Sequence, residues 1–389
     1  MADGGTLKPG WRKWRFDQIA TNVNERIDNP SESDFEYYVG LEHIDPDSLK
    51  LRRWGSPSDV EATKLIFRKG DIIFGKRRVY QRKVAVAEFD GICSAHALVL
   101  RAKPGVVLPE FLPFFMQSDL FMERAKTISV GSLSPTINWK TLAGEEFEIP
   151  SLIEQKKICK RLVSLEESII SYEKALTSAK KARKSLSISL FSQDQRNNAK
   201  KLKKLILDSR YGPRFSSTLY DENGSIGQIR TTDMDDDGNI DYLSVPKANL
   251  EVRDYEEHIL KDGDIVISRS GTCGITAIFS SQSKPIIPGA FLIRLRPNKK
   301  ISSEYLHEYF SSPLGRQLTA SLARGGVQKN ISGSELLDQE VPCPSEERQK
   351  DVVTKLQDLK ESEKELGERK FSLQSMKKLF LHSVVGDTV

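Results

Sequence analysis

The sequence predicts an α+β protein built as two tandem, pseudo-twofold-related α/β domains joined by two long antiparallel coiled-coil helices. Three observations carry this. Several separate segments recur at one offset of about 194 residues. Each copy ends in a long stretch whose apolar residues are spaced alternately by four and by three. The short apolar runs inside each copy lack regular βαβ alternation, which favours a mixed or antiparallel sheet.

The copies can be followed in order. LIFRKGDIIFGKR (65–77) is answered by HILKDGDIVISRS (258–270), 193 residues on. At an offset of 194, SAHALVLRAKP (94–104) meets PGAFLIRLRPN (288–298), and EFLPFFMQSDL (110–120) meets EYLHEYFSSPL (304–314). Gly131 meets Gly325, Ile137 meets Ile331 and Leu142 meets Leu336. Pro150, Ser151, Gln155 and Lys156 then meet Pro344, Ser345, Gln349 and Lys350. Each copy opens on a basic segment, 11–20 and 200–208. Residues 72–74 and 265–267 leave Lys-Gly-Asp and Asp-Gly-Asp turns, as strands do. Further strands are expected at 84–86, 98–100, 277–279 and 291–295, and one amphipathic helix each at 110–125 and 304–320.

The first heptad series runs Ile158, Leu162, Leu165, Ile169, Tyr172, Leu176, Ala179, Arg183, Leu186, Leu190. The second runs Val352, Leu356, Leu359, Glu363, Leu366, Lys370, Leu373, Lys377, Phe380, with more charge at core positions. One such helix cannot bury its stripe alone, whereas two can bury theirs against each other. About 35 residues at 1.5 Å each make a rod of roughly 50 Å, able to hold two globular parts apart. SQDQRNNAKKLKK (192–204) is polar and aperiodic, and reads as a linker.

Composition bounds function. The 389 residues carry 59 Lys+Arg and 54 Asp+Glu, a net charge of +5, so any basic surface must be local. No apolar run approaches membrane-spanning length, and MADGGTLKPGWRKW has no apolar signal region, which makes the cytoplasm the expected location. Cys93, Cys159, Cys273 and Cys343 are widely separated, and the five histidines (43, 96, 258, 307 and 382) form no spaced set; no metal or catalytic cluster is expected. DMDDDGNID (233–241) lacks a full calcium-loop order and reads as a solvated turn. There is no NPPY- or DPPY-like motif, no glycine-rich cofactor loop and no GxxxxGK[ST], which argues against a methyltransferase or motor acting alone.

The duplicated order resembles the specificity subunit of type I restriction–modification systems. KGDIIFGKR (69–77), DGDIVISRSGTCGITAIF (262–279), IPSLIEQKKI (149–158) and KNISGSELLDQEVPCPSEERQ (329–349) carry the likeness, over about residues 12–385. The first copy departs from it in SLSPTINWKTL (132–142) and FGKRR (74–78). The resemblance implies target-recognition domains at 1–150 and 202–344, long helices at 151–192 and 345–389, and a linker at 193–201. It implies a non-catalytic reader of double-stranded DNA, each domain reading half of a bipartite asymmetric site. The helices would set the spacing and dock two methyltransferase subunits, and restriction subunits can join. No cofactor is implied for this chain; S-adenosylmethionine, ATP and Mg would belong to the partners. The competing readings are a coiled-coil scaffold and a DNA-modifying enzyme acting alone.

Candidate contacts follow from local charge. KRRVYQRK (76–83) gathers Lys76, Arg77, Arg78, Arg82 and Lys83 around Tyr80 just after an expected strand. Such side chains neutralise phosphates, and Arg also reads guanine bidentately; a solvated hairpin tip is the plainer reading. The matching place in the second copy is Arg269 and Ser270, with less charge. Arg210, Tyr211 and Arg214 surround a Gly-Pro turn that is either a contact loop or an ordinary turn. Arg324 and Lys329 flank Gly325 and Gly326, and the counterpart 130–138 offers Ser132, Ser134 and Thr136. Lys180, Lys181, Arg183 and Lys184 read first as a solvated helix face.

Overall fold

The computed structural model describes residues 8–325 and 329–385. The chain forms two compact units. One runs to Glu173 and resumes at Glu368, and the other is Lys174–Gly367. Each long helix, Leu152–Asn198 and Glu346–Val385, thus contributes one part to each unit.

The first unit holds a four-stranded antiparallel sheet ordered Ala20–Val23, Ala97–Ala102, Ile72–Gly75, Val84–Val86. A second sheet runs Arg26–Ile27, Lys64–Phe67, Gly91–Cys93, Tyr38–Val39, and its last pair is parallel. The second unit repeats the first sheet as Ile206–Tyr211, Leu292–Pro297, Ile265–Ser268, Thr276–Ile278. It also repeats the parallel pair, as Ile226–Ile229 with Ile286–Pro288. The sheets are mixed overall, and apolar strand residues such as 72–74 and 265–267 are buried on both faces.

The ladder corrects the repeat register in one strand. Phe74 pairs with Leu98, and its counterpart Ile267 pairs with Ile293, so this strand is offset by 195 residues, not 194. Because strand faces alternate, one residue decides what is inside. Arg101 therefore matches Arg296, and each holds the buried Asp of its Gly-Asp turn: Arg101 with Asp71 at 2.7 Å, Arg296 with Asp264 at 2.6 Å. Val99 matches the buried Arg294, which donates to the Glu257 carbonyl at 2.7 Å.

Two local expectations are overturned. Each single amphipathic helix is a pair, Phe111–Gln117 with Asp119–Thr127 and Ser303–Ser311 with Pro313–Leu322. Ser118 and Ser312 break the first helix and cap the next, accepting the Phe121 and Gly315 amides at 3.2 and 3.3 Å. Pro313 at the first helical position reinforces the second break. Nor is 193–201 an irregular linker. The helix continues to Asn198, where Leu190, Phe191 and Asp194 are buried, and Ala199–Lys201 pairs with Glu340–Pro342 as a strand.

Both helices enter through the same device. Buried Gln155 accepts the Leu108 amide at 2.7 Å and donates to the Val106 and Pro150 carbonyls. Gln349 does the same with Ser302, Lys300 and Pro344. Within each unit the helix segments run in opposite directions. In the first unit Glu166 meets Lys377 at 2.6 Å and Glu173 meets Lys370 at 3.2 Å. In the second, Arg183 meets Glu363 at 2.8 Å and Asp194 meets Arg348 at 3.2 Å. Charged heptad members Arg183, Glu363, Lys370 and Lys377 thus find opposite charges instead of breaking the stripe, which partial burial would otherwise penalise. Among the described residues no helix is long and apolar enough to cross a membrane.

Candidate nucleic-acid interface

In each unit the strand after the Gly-Asp turn ends in a loop that is bridged to a second loop. In the first unit, Val130 and Thr136 exchange backbone hydrogen bonds at 2.9 and 3.1 Å, and the Ile137 amide donates to the Lys76 carbonyl at 2.9 Å. In the second unit, Arg324 and Asn330 exchange bonds at 2.8 and 3.0 Å, and Ile331 donates to Arg269 at 2.8 Å. The Lys76 amide donates to His96, and the Arg269 amide to Phe291. One backbone frame therefore carries two different sets of side chains. Sequence reasoning proposed the two loops of each unit separately; the fold brings them together.

The basic cluster of the first unit splits in two. Arg77 and Arg78 turn toward the 130–136 loop, with Nη2 of Arg77 and Nε of Arg78 each 3.3 Å from Ser134 Oγ. Tyr80 is half exposed, as are Val130 and Leu133 still more fully. Arg78 and Arg82 bracket a short 3-10 turn, Val79–Gln81, both in the left-handed region at φ 56° and 54°. A non-glycine residue there costs on the order of 1 kcal/mol, so its side chain must contribute something glycine cannot. For Arg82 that contribution is structural. It donates to Asp47 at 2.6 Å, to Asp119 at 2.9 Å and to the Gln117 carbonyl at 2.6 Å, closing the C-terminal end of Phe111–Gln117. Lys83 donates to the Leu41 carbonyl at 2.7 Å. Both are engaged by the fold, whereas Arg78 and Tyr80 are exposed and Arg77 is half-buried between His96 and Ser134.

In the second unit Arg269 lies over the Tyr211 ring at 4.2 Å from its centroid, and the Tyr211 hydroxyl accepts the Gly333 amide at 2.7 Å. Arg324 is exposed and meets Glu335 at 3.2 Å; Lys329 is exposed, and its carbonyl faces Cys273 Sγ at 3.5 Å. Gly326 lies outside the described residues. Ser270 is buried and bridged through its backbone to Asn330. Arg210 turns to Asp208 and Glu257, away from its neighbour Tyr211, as strand alternation requires. Arg214 is exposed with no acceptor among the described residues. On the helix, Lys180, Lys181 and Lys184 are exposed, and Arg183 is committed to Glu363. The acidic 233–241 stretch is a turn closed by a Met234–Ile240 bridge.

Three residues missed in the sequence stand beside Lys76. Lys64 is buried with its ammonium on the Ala62 carbonyl, Arg26 is exposed, and His96 Nε2 lies 3.4 Å from Arg77 Nη1. Burial, then Arg77, Lys76 and Lys64, hold the His96 imidazole below its ordinary pKa. Burial and then Arg26 lower the Lys76 ammonium likewise. Only the fold could reveal this group, because its members come from three separate strands and turns.

A scaffold written twice, with loops of unlike chemistry at matching places, defines a class of protein with two like-folded units that present different side chains. Comparison with known families gives the class its particular identity. The family model for the type I restriction modification DNA specificity domain matches residues 59–179 and 192–370, and the chain belongs to that family. It is 28% identical over 176 residues to the EcoDI specificity subunit of Escherichia coli, covering 45% of this chain and 39% of that protein. To the EcoKI specificity subunit of E. coli K12 it is 24% identical over 285 residues, covering 66% and 60%. The matched region thus spans less than two thirds of either relative. Among solved structures, a chain from work on complex assembly and conformational transition of the type I R-M system aligns at TM-score 0.65 and 21% identity, over 99% of this chain and 100% of that one. The type I S subunit from M. genitalium aligns at 0.55 and 16%, over 100% and 99%. These two likenesses establish a shared fold.

Proposed function

We propose that the chain is the DNA-sequence specificity subunit of a type I restriction–modification complex, each unit reading one half of a bipartite, asymmetric site. The observation that supports this most directly is the repeated loop-to-loop frame carrying different outward side chains. Identical frames with unlike side chains suit two unlike half-sites. In the first unit the contacts are Arg77, Arg78 and Tyr80, with the 130–136 loop. In the second they are Arg269, Tyr211, Arg324, Lys329 and Arg214. The two long helices act as an antiparallel coiled coil that fixes half-site spacing and docks two methyltransferase subunits. Unbroken heptads and paired core charges support that role. Methyl transfer with S-adenosylmethionine, and any ATP- and Mg-dependent cleavage, would belong to the partner subunits, with this chain non-catalytic and cytoplasmic.

The test is selection from random DNA by the chain assembled with its methyltransferase subunits. The expected result is one split sequence with unlike halves, bound in a salt-sensitive manner. Methylation by this chain alone, or binding without sequence preference, would overturn the reading in favour of an enzyme or a scaffold.

A further inference from the structure

The cations beside Lys76 line a cleft of about 580 Å³ that lies wholly in the first unit. Arg26, Lys64 and Lys76 share it with the amides of Asn22, Asn24 and Asn138, and no carboxylate is among the described residues lining it. Lys64 is buried against the Tyr38 ring, its ammonium 5.9 Å from the centroid. Among the described residues Arg26 uses only its Nε on a neighbour, donating to Asn24 Oδ1 at 3.2 Å. Cations held together without a counter-charge repel one another and give up hydration, an arrangement that an anion relieves.

The second unit is the built-in comparison. On the same frame, Arg269 stands for Lys76 and Phe291 for His96, as their amide-to-carbonyl bonds require. There the aromatic ring of Tyr211 lies against Arg269 and is tied to the Gly333 amide, so stacking occupies the position. The frame itself therefore does not demand a cationic cleft.

We propose that the cleft of the first unit is an anion site that seats a backbone phosphate of bound DNA, with His96, which lies in the chain between the lining residues Ala95 and Ala97, sensing the occupant. The DNA part rests on the proposed reader function; the anion site does not. The charged groups acting on His96 are Arg77 and Lys76 from the loop after the 72–75 strand, and Lys64 from the 64–67 strand. All are cations, so an arriving phosphate offsets part of their field and raises the His96 pKa. Binding then takes up a proton, and affinity through this site strengthens as pH falls toward that pKa.

The test uses the full chain with carbon-13-labelled histidine, the His96 signal being assigned with His96→Gln. Inorganic phosphate at constant ionic strength should move the His96 pKa upward, and Arg26→Gln or Lys76→Gln should abolish the movement. Arg26 is exposed, so its variant keeps the test valid if Lys76→Gln fails to fold. In the complex with methyltransferase subunits, either variant should flatten the log–log salt dependence of DNA affinity by about 0.9, one phosphate contact. A His96 signal indifferent to phosphate and to a duplex that nonetheless binds selectively overturns the cleft and leaves the reader function standing. A His96 that responds to phosphate while no duplex is bound selectively overturns the DNA assignment and leaves the anion site.

Discussion

Replacing Arg78 by glycine should stabilise the fold while weakening DNA binding, and replacing Arg82 by glycine should destabilise the fold while leaving DNA binding unchanged. The two residues share a left-handed backbone, at φ 56° and 54°. Glycine relieves about 1–2 kcal/mol of steric cost at such a position and gives back about 0.5–1 kcal/mol through greater freedom of the unfolded chain. Arg78 loses only a 3.3 Å contact with Ser134, and its amide bond to the Pro135 carbonyl at 2.7 Å survives the change. The net effect is a gain of about 0.5–1 kcal/mol, a rise in Tm of roughly 2 °C for a unit of this size. Arg82 enjoys the same relief but loses Asp47, Asp119 and the Gln117 carbonyl. Asp47 and Asp119 are 59% and 36% exposed, so their pairs are discounted, and the buried end of the 111–117 helix dominates. A net loss of about 2 kcal/mol follows, or roughly 4–8 °C. Calorimetry of both variants, with filter binding of the assembled complex across a salt series, separates the effects. Arg78→Gly should lower the salt slope by about 0.9 and Arg82→Gly should leave it unchanged. If both variants lose stability and slope together, the division of the basic cluster into outward and structural arginines is wrong.

Two further outcomes follow from buried polar groups. Gln155→Leu should cost about 3 kcal/mol, since it strands the Leu108 amide and the Val106 and Pro150 carbonyls. Thermal melting should show this loss, while Lys156→Ala on the exposed face melts like the parent. His307 is buried at the 450 Å³ pocket it shares with Lys360 and Arg316, and burial, then those two cations, push its pKa down to about 4. A depressed histidine favours the fold above its unfolded pKa near 6.5 and loses that advantage as pH falls, up to about 3 kcal/mol by pH 4. Denaturant midpoints between pH 7 and 4 should fall less steeply in His307→Gln; identical slopes would remove His307 from the acid response.

What could be read in advance followed from how each feature is encoded. The repeat was legible because strands leaving a Gly-Asp turn and a Pro-Ser-…-Gln run into a helix are set by contiguous residues. Gln155 and Gln349 matched in sequence, and they make the same three hydrogen bonds in space. The heptads were legible for the same reason, and their charged members fit the stripe because Arg183 pairs with Glu363, Lys370 with Glu173 and Lys377 with Glu166. Ser118 and Ser312 carried a readable capping signal that the amphipathic period obscured. The site was legible only as charge. A run such as KRRVYQRK shows that cations are dense, yet a left-handed residue on each side of a short turn decides which face outward, and no pattern of residue types specifies that. The cleft was hidden more deeply, since Arg26, Lys64 and Lys76 are far apart in the chain and meet only when two sheets assemble. The chemical difference between the two copies therefore resides in the part least visible along the chain. The duplicated frame constrains the sequence and so can be seen in it, while the side chains it presents are free to differ. Lys76 against Arg269 and His96 against Phe291, on matching hydrogen bonds, are that freedom in use.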